Sequence, residues 1–127
     1  MKSKILIGVT LLFVLISCNK NDSEIAIPQI TNGNYIGIFE RNGVNSNVQL
    51  NLNSGTFNGQ STTQKFPALC NGTYSSTNNT INFEDTCVWT AEFDWTLILN
   101  GEWNYVVNGS VLTLTKANGD KYILTQQ

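Results

Sequence analysis

Carboxylates are the reactive side chains that this sequence concentrates in one place. Five of its nine acidic residues fall within nineteen positions, and Glu92 and Asp94, two residues apart, would project from the same face of a β-strand. Paired carboxylates can hydrolyse a glycoside or bind calcium. Alternatively, they solvate the outer face of a strand whose inner face carries the aromatic residues that alternate with them. The five acids are Glu84, Asp85, Glu92, Asp94 and Glu102, and the alternating inward residues are Trp89, Ala91, Phe93 and Trp95.

The absence of histidine excludes the common alternatives to carboxylate chemistry. Without it, neither a Ser-His-Asp nor a Cys-His arrangement can form, and the usual proton shuttle near neutral pH is missing. The alternation places the acidic and the aromatic side chains on opposite faces, which favours a solvated strand over a catalytic pair. We therefore predict that the protein is not an enzyme and holds no metal and no cofactor.

Aromatic side chains form a second cluster in the same part of the chain, within seventeen residues. At the open end of a small barrel they could stack on a flat ligand such as a sugar or a lipid. Large inward side chains in a short barrel leave little cavity, however, and this favours core packing. The cluster consists of Trp89, Phe93, Trp95, Trp103 and Tyr105. Four of these, Trp89, Trp95, Trp103 and Tyr105, are the candidate ligand-binding residues.

The first seventeen residues have the layout of a secretory signal. Lys2 and Lys4 form a basic start, an apolar run follows over residues 5–16, and the small residue Ser17 ends the segment. The apolar run is shorter than the about 20 residues of a transmembrane helix. We predict that residues 1–17 are a signal peptide.

The residues Leu15, Ile16, Ser17 and Cys18 resemble a bacterial lipobox. The resemblance implies cleavage before Cys18 and attachment of lipid to that cysteine, so that membrane lipid is a partner of the protein. Two or more acyl chains hold a protein stably on a membrane. Position 19 is Asn and not the Asp that retains some lipoproteins at the inner membrane, and acidic residues follow. The resemblance therefore implies an outer-membrane lipoprotein, with surface display left open.

Cys70 and Cys87 remain if Cys18 carries lipid, and both would reach an oxidising compartment. We predict a disulfide between them, which would stabilise a short loop by roughly 3 kcal/mol. A redox or metal-binding pair is the alternative, but the sequence offers no C-x-x-C spacing and no neighbouring basic residue that would lower a thiol pKa.

The net charge of the mature chain argues against certain classes of binding partner. Removal of residues 1–17 takes Lys2 and Lys4 from the seven basic residues, which leaves five against nine acidic residues. A mildly acidic chain does not suit nucleic acid, which selects a basic surface. Nor does it suit electrostatic attachment to anionic lipid.

Short alternating segments follow a polar segment that contains Pro28. We predict a flexible tether over residues 18–31 and a single domain over residues 32–127. Asn-Gly, a strong hairpin-turn signal, occurs seven times, and the segments between alternate as strands should. Short strands are predicted near residues 34–40, 47–53, 56–61, 71–76, 80–85, 88–99 (one strand or two), 102–108, 110–116 and 120–126.

Sequential short strands with tight turns favour an all-β, antiparallel up-and-down barrel of about eight strands, which leaves no free edge. A β-sandwich is the alternative, although an immunoglobulin-type sandwich places its tryptophan between two distant cysteines. Here Trp89 follows the second cysteine.

Two family resemblances accompany this pattern. Gly33, Asn34 and Tyr35 are similar to the Gly-x-Trp signature that opens the first strand of lipocalins, with Tyr in place of Trp. Residues 70–126, with the segments CNGTY, INFEDTC and GSVLTLTKANGDKYIL, resemble the META domain of bacterial envelope proteins. The first implies a ligand-binding barrel, and the second implies a stress-related envelope protein.

Two functions remain open on the sequence. One is a lipocalin-like binding module for a small apolar or amphipathic ligand at the aromatic end. The other is an accessory protein that docks on an envelope protein through its outer face and has no ligand pocket. A one-residue change in strand register exchanges the two faces, so the pattern alone leaves both in place.

Overall fold

The computed structural model describes residues 28–90 and 92–127. The predicted signal peptide, the lipidated Cys18 and most of the predicted tether lie outside these residues. The described chain is all-β, with no α-helix and therefore none that could span a bilayer. Its strands are β1 (Gly33–Arg41), β2 (Val44–Asn53), β3 (Thr56–Ser61), β4 (Asn71–Ser76), β5 (Thr80–Asp85), β6 (Gly101–Asn108), β7 (Val111–Thr115) and β8 (Lys121–Gln126).

The strands form a closed antiparallel barrel in which each strand pairs with the next and β1 pairs with β8. The predicted barrel is confirmed, and the sandwich does not occur. The last strand closes the barrel through a register that runs from Tyr35 opposite Gln126 to Glu40 opposite Lys121. We call the end at which Gly33 lies the proximal end, because the chain enters there, and the end at which Arg41 lies the distal end.

Asn-Gly pairs serve two purposes in this barrel. Asn42 and Gly43, both at positive φ, turn the chain from β1 to β2 as predicted. The pair Asn58–Gly59 lies inside β3 and the pair Asn71–Gly72 begins β4, so these two pairs form no turn and belong to the strands predicted over residues 56–61 and 71–76. A Cβ on Gly72 would overlap the carbonyl oxygen of Glu84, so this glycine allows β4 and β5 to approach closely.

Large side chains fill the barrel. Alternate residues of β2 point inward and are buried, namely Val48, Leu50 and Leu52, as the sequence pattern predicts. The other strands add aromatic rings, and Tyr122 lies 4.9 Å from Phe39 between ring centroids. The remaining buried core residues on the strands are Tyr35, Phe57, Ile81, Phe83, Trp103, Tyr105, Leu112, Leu114 and Leu124.

The predicted strand over residues 88–99 does not exist. The described residues of this segment form irregular backbone, a one-turn 3-10 helix at Trp95–Leu97 and a single bridge at Ile98. The segment instead belongs to the long connection between β5 and β6. The expected division into an acidic face and an aromatic face is therefore also wrong.

The proximal end holds the chain that leads into the barrel. Ile30 packs against the core, and the hydroxyl group of Tyr105 donates to the side chain of Gln29 at 3.1 Å. The hydroxyl group of Tyr35 donates to the carbonyl of Thr31 at 2.6 Å. Residues 28–31, the end of the predicted tether, thus lie against the barrel.

Gly37 tests the closure of the barrel. A Cβ on Gly37 would overlap the carbonyl oxygen of Ile123, so β1 and β8 can meet there only if the side chain is hydrogen. We expect Gly37→Ala to lower the free energy of unfolding by about 3 kcal/mol or more in urea denaturation. Gly43→Asn is the control, because Asn tolerates a positive φ and nothing lies within 4 Å of Gly43. Equal stability of the two variants would contradict this account of closure.

Candidate functional site

Arg41 organises the distal end of the barrel. Its Nε donates to Oδ1 of Asp120 at 2.7 Å, and its Nη2 donates to Oδ2 of the same carboxylate at 2.5 Å. Its Nη1 reaches Oδ2 of Asp94 at 2.9 Å. The hydrogen bond with Asp120 raises the pKa of the Arg41 guanidinium. One side chain therefore ties the end of β1 to the β7–β8 turn and to the β5–β6 connection.

Asp94 caps the short 3-10 helix. Its Oδ1 accepts from the hydroxyl group of Thr96 at 2.6 Å and from the backbone N–H of Thr96 at 3.0 Å. These hydrogen bonds, with a further contribution from Arg41, lower the pKa of Asp94. The cap fixes the start of the turn that carries Trp95.

Two connections close the distal end, and we call their described residues together the cover (residues 62–70, 86–90 and 92–100). Ala68 donates its N–H to the carbonyl of Leu97 at 2.9 Å, and Leu99 donates back to the carbonyl of Ala68 at 3.1 Å. Phe66 packs edge-on against Phe39 at 5.5 Å between centroids. The barrel therefore has no open mouth at this end.

The predicted disulfide between Cys70 and Cys87 is present and joins the two parts of the cover. The side chain of Asp85 lies beside it, and the three residues together have the composition of a metal site. Sulfur atoms bonded to one another do not act as thiolate ligands, so we assign this cluster a structural role.

Three aromatic rings lie side by side on the cover, and we call them the aromatic cluster (Trp89, Phe93 and Trp95). The centroid of Phe93 lies 5.6 Å from that of Trp89 and 6.2 Å from that of Trp95. Trp95 is 57% exposed. The Nζ of Lys65 stands 5.1 Å from the Phe93 centroid, which places a cation on the cluster.

The indole N–H of Trp89 donates to Oδ2 of Asp85, and this bond orients the ring. A recess of about 270 Å³ adjoins Trp89. Its polar lining includes Gln60, Gln64 and Lys65, and its apolar lining includes Leu69. Apolar surface with a few polar groups is typical of a ligand site.

The structure separates the four predicted ligand-binding residues. Trp89 and Trp95 lie in the aromatic cluster, whereas Trp103 and Tyr105 point into the barrel from β6 and are only 2% and 5% exposed. The hydroxyl group of Tyr105 bonds to the carbonyl of Thr77 at 2.5 Å, which is at the proximal end. Strand periodicity explains the burial of the β6 pair, whereas the irregular backbone of the cover leaves Trp89 half-buried and Trp95 exposed.

The barrel interior also contains two polar donors. Among the described residues, the Nε1 of Trp103 and the hydroxyl group of Tyr122 have no hydrogen-bond partner, and their rings lie 5.2 Å apart. Complete burial raises the pKa of Tyr122 well above its usual value. Both atoms are enclosed by core side chains, so they do not extend the candidate site.

Sequence reasoning missed Arg41 and Lys65 as parts of this site. Arg41 ends an alternating strand and Lys65 lies in a polar connection, so neither belongs to a motif. The one available signal was the excess of acidic residues around position 94, which favours an ion pair with a basic residue from elsewhere in the chain.

Removal of the Arg41 side chain tests the distal network. Arg41→Met leaves the carboxylate of Asp120, which is 2% exposed, buried without a cation. We expect the free energy of unfolding in urea to fall by about 3 kcal/mol. The double variant Arg41→Met/Asp120→Asn should recover part of this loss. Asp94→Asn removes only the exposed partner and should cost much less, so equal losses for Arg41→Met and Asp94→Asn would contradict the assignment.

The Asp94 cap predicts a weakening of the cover in acid. A pKa below 3.8 in the folded state means that the charged cap stabilises the fold above pH 3.8 and that this contribution is lost as the pH falls through the lower, folded value. The amide resonance of Thr96, followed by NMR from about pH 6 to about pH 2, should titrate with a midpoint below 3.8, and Asp94→Asn should abolish that titration. A midpoint at or above 3.8 would contradict the prediction.

Comparisons of the chain with protein-family models, curated proteins and solved structures found no match. The candidate site is therefore defined by its own contacts: an aromatic cluster in which Trp95 is exposed, a cation on the Phe93 ring and an adjoining recess.

Proposed function

We propose that this protein is a non-enzymatic binding module of the bacterial outer membrane, held through lipid on Cys18 and lipocalin-like in its strand order. Its ligand is a small amphipathic molecule that binds at the aromatic cluster. The observation that carries the proposal is the exposed Trp95 beside the half-buried rings of Trp89 and Phe93 at the distal end, on a cover fixed by Arg41 and by a disulfide. A fixed aromatic surface loses little conformational freedom when it binds a ligand.

The filled interior directs the proposal to the outer surface. Eight-stranded barrels can hold one small ligand inside, but here rings such as Phe39, Trp103 and Tyr122 occupy that volume. The cover also closes the distal end with Leu97, Ile98 and Leu99, which are buried. Binding on the cover requires neither displacement of core residues nor opening of the barrel.

The cluster favours a ligand with both a flat apolar part and a polar part. The ring faces of Phe93 and Trp95 offer apolar area, and aromatic side chains contribute much of the energy at binding surfaces. Lys65 and Gln64 border the adjoining recess and supply a charge and an amide. A fully apolar ligand would leave these groups without partners, at a cost in affinity.

Orientation supports a role on the membrane surface. The chain enters at the proximal end, so an anchor on Cys18 attaches the barrel by that end. The aromatic cluster lies at the opposite end, where it would face away from the lipid. A site that bound the anchoring membrane itself would be expected next to the entry point.

Docking on another envelope protein is the second candidate. Val88 is 86% exposed and neighbours Trp89, so the cover presents apolar surface beside the aromatic cluster. Exposed apolar patches mark protein interfaces as well as ligand sites. A docking protein would use this patch without needing the recess.

Tryptophan fluorescence of the purified protein distinguishes the two. Iodide should quench the exposed Trp95 strongly, the half-buried Trp89 less, and Trp103, which is 2% exposed, not at all. A panel of fatty acids, sterols and glycans should contain a ligand class that protects Trp95 from iodide, and Trp95→Ala should weaken the binding of that ligand by about tenfold. Val106→Ala, at a site that is 65% exposed on β6, is the control and should bind normally. Quenching that no ligand changes would contradict the binding module and favour the docking protein.

A further inference from the structure

The outer face of β1, β2 and β3 carries primary amides in place of charges. Strands β2 and β3 contain no charged residue, and the two charges of β1 are its last residues, Glu40 and Arg41. Six outward side chains form what we call the amide face: Asn34, Asn47, Gln49, Asn51, Asn58 and Gln60.

Strand register aligns these amides in pairs. Gln49 lies opposite Gln60 and Asn51 lies opposite Asn58. The Nε2 of Gln60 donates to the Oε1 of Gln49 at 2.8 Å, so the two side chains hold one another in place. Opposite residues on one face of a sheet lie about 5 Å apart. The face therefore presents regularly spaced groups that each donate and accept hydrogen bonds.

A groove follows this face. One recess of about 370 Å³ is lined by Ile36, Asn47 and Gln49 among others, and a second of about 180 Å³ by Asn51 and Asn58. Both recesses share Gln49 and Gln60.

The larger recess also shares Gln60, Ser61 and Thr62 with the recess beside Trp89. The three together run from the amide pairs to the aromatic cluster, which suits an extended chain better than a single compact molecule.

We infer that this groove binds a neutral, hydroxyl-rich chain, that is, an uncharged glycan. The inference deepens the proposed function and rests on it only at the Trp89 end of the groove. Hydroxyl groups donate and accept, as amides do, so neighbouring amide pairs match neighbouring hydroxyls. An uncharged ligand needs no ion pair, and residues 33–39 of β1 and the whole of β2 and β3 offer no charged side chain; Lys65 borders the groove at its Trp89 end.

Apolar surface along the groove supports the same ligand class. Ile36 is 40% exposed in the wall of the recess of about 370 Å³, and Trp89 ends the groove. Sugar rings have apolar faces that pack against such side chains, as small sites combine apolar walls with a few polar groups. A peptide strand is disfavoured, because strand addition requires a free sheet edge and each strand of the closed barrel has a neighbour on both sides.

The test measures binding of the purified protein to mannan, dextran and a linear β-1,3-glucan, with a sulfated polysaccharide for comparison, by affinity electrophoresis. We expect at least one neutral glycan to bind, and Gln49→Ala/Gln60→Ala to weaken that binding by about tenfold or more. Asn82→Ala/Asn104→Ala is the matched control, because it removes two exposed amides from the outer faces of β5 and β6. The control should change affinity by less than about twofold.

Failure of the inference is separable from failure of the proposed function. Binding only to the sulfated polysaccharide, or to no polysaccharide, overturns the neutral glycan but leaves fatty acids and sterols as ligands of the aromatic cluster. Neutral glycan binding that is lost in Trp95→Ala yet unchanged in Gln49→Ala/Gln60→Ala overturns the amide groove and supports the cluster alone. The opposite pattern supports the groove and overturns the cluster as the main site.

Both double variants should retain the thermal unfolding midpoint of the parent, because all four side chains are exposed.

Discussion

The hydrogen-bonded fork of Arg41 is the interaction on which the distal half of this protein depends. It joins three parts of the chain that are distant in sequence: the end of β1, the turn before β8 and the cover. Asp120 is buried, and a buried carboxylate without a cation is costly, so the fork stabilises the closed barrel at this end. Once Arg41 is in place, its remaining donors reach Asp94 and Thr96 and fix the turn that carries Trp95. The position of the candidate site therefore follows from an ion pair that also stabilises closure.

A filled interior is the second constraint, and it moves recognition to the outside. Eight strands enclose a space that side chains can fill, and aromatic residues on β1, β6 and β8 fill it here. Most inward positions are then large and apolar, with exceptions such as Gly37 and Ser46, whereas the outward positions carry more varied side chains. The aromatic cluster and the amide face both use this freedom, one on irregular connections and the other on regular strands.

Much of the fold was predictable, because period-two alternation leaves a clear trace in the sequence. Residues 47–53, 80–85 and 120–126 show this alternation and form strands, and the count of cysteines pointed to the pair Cys70 and Cys87. The segment 88–99 was misassigned because acids alternate with aromatic residues there as they would on a strand. Contacts made by residues distant in sequence decided its conformation: Arg41 binds Asp94, and Ala68 binds the backbone of Leu97 and Leu99. No local pattern contains that information.

The candidate site was predictable only in part, for a related reason. Trp89 and Trp95 were among the candidates, but Trp103 is an inward residue of a regular strand and could be separated from them only with the register known. The amides of β2 were visible as alternate Asn and Gln residues. Their pairing with the amides of β3 depends on the turn at Ser54 and Gly55, because the positive φ angles of these two residues set the strand register. Ser rarely adopts a positive φ, so the sequence does not predict this turn.

The attachment of the chain at the proximal end gives the binding surfaces a direction. Residues 28–31 contact Tyr35 and Tyr105, and Ile30 packs against the core. The chain is therefore fixed to the barrel before β1 begins. The nine residues of β1 span roughly 30 Å along the strand, and at the usual strand tilt the barrel is about 20 to 25 Å tall. The aromatic cluster lies at the other end of the barrel from this attachment. Since the groove runs between the two ends of the barrel, a chain bound in it would lie along the barrel and reach the cluster at the distal end. The amide face and the aromatic cluster would then contact one extended ligand, and neither surface requires space inside the filled barrel.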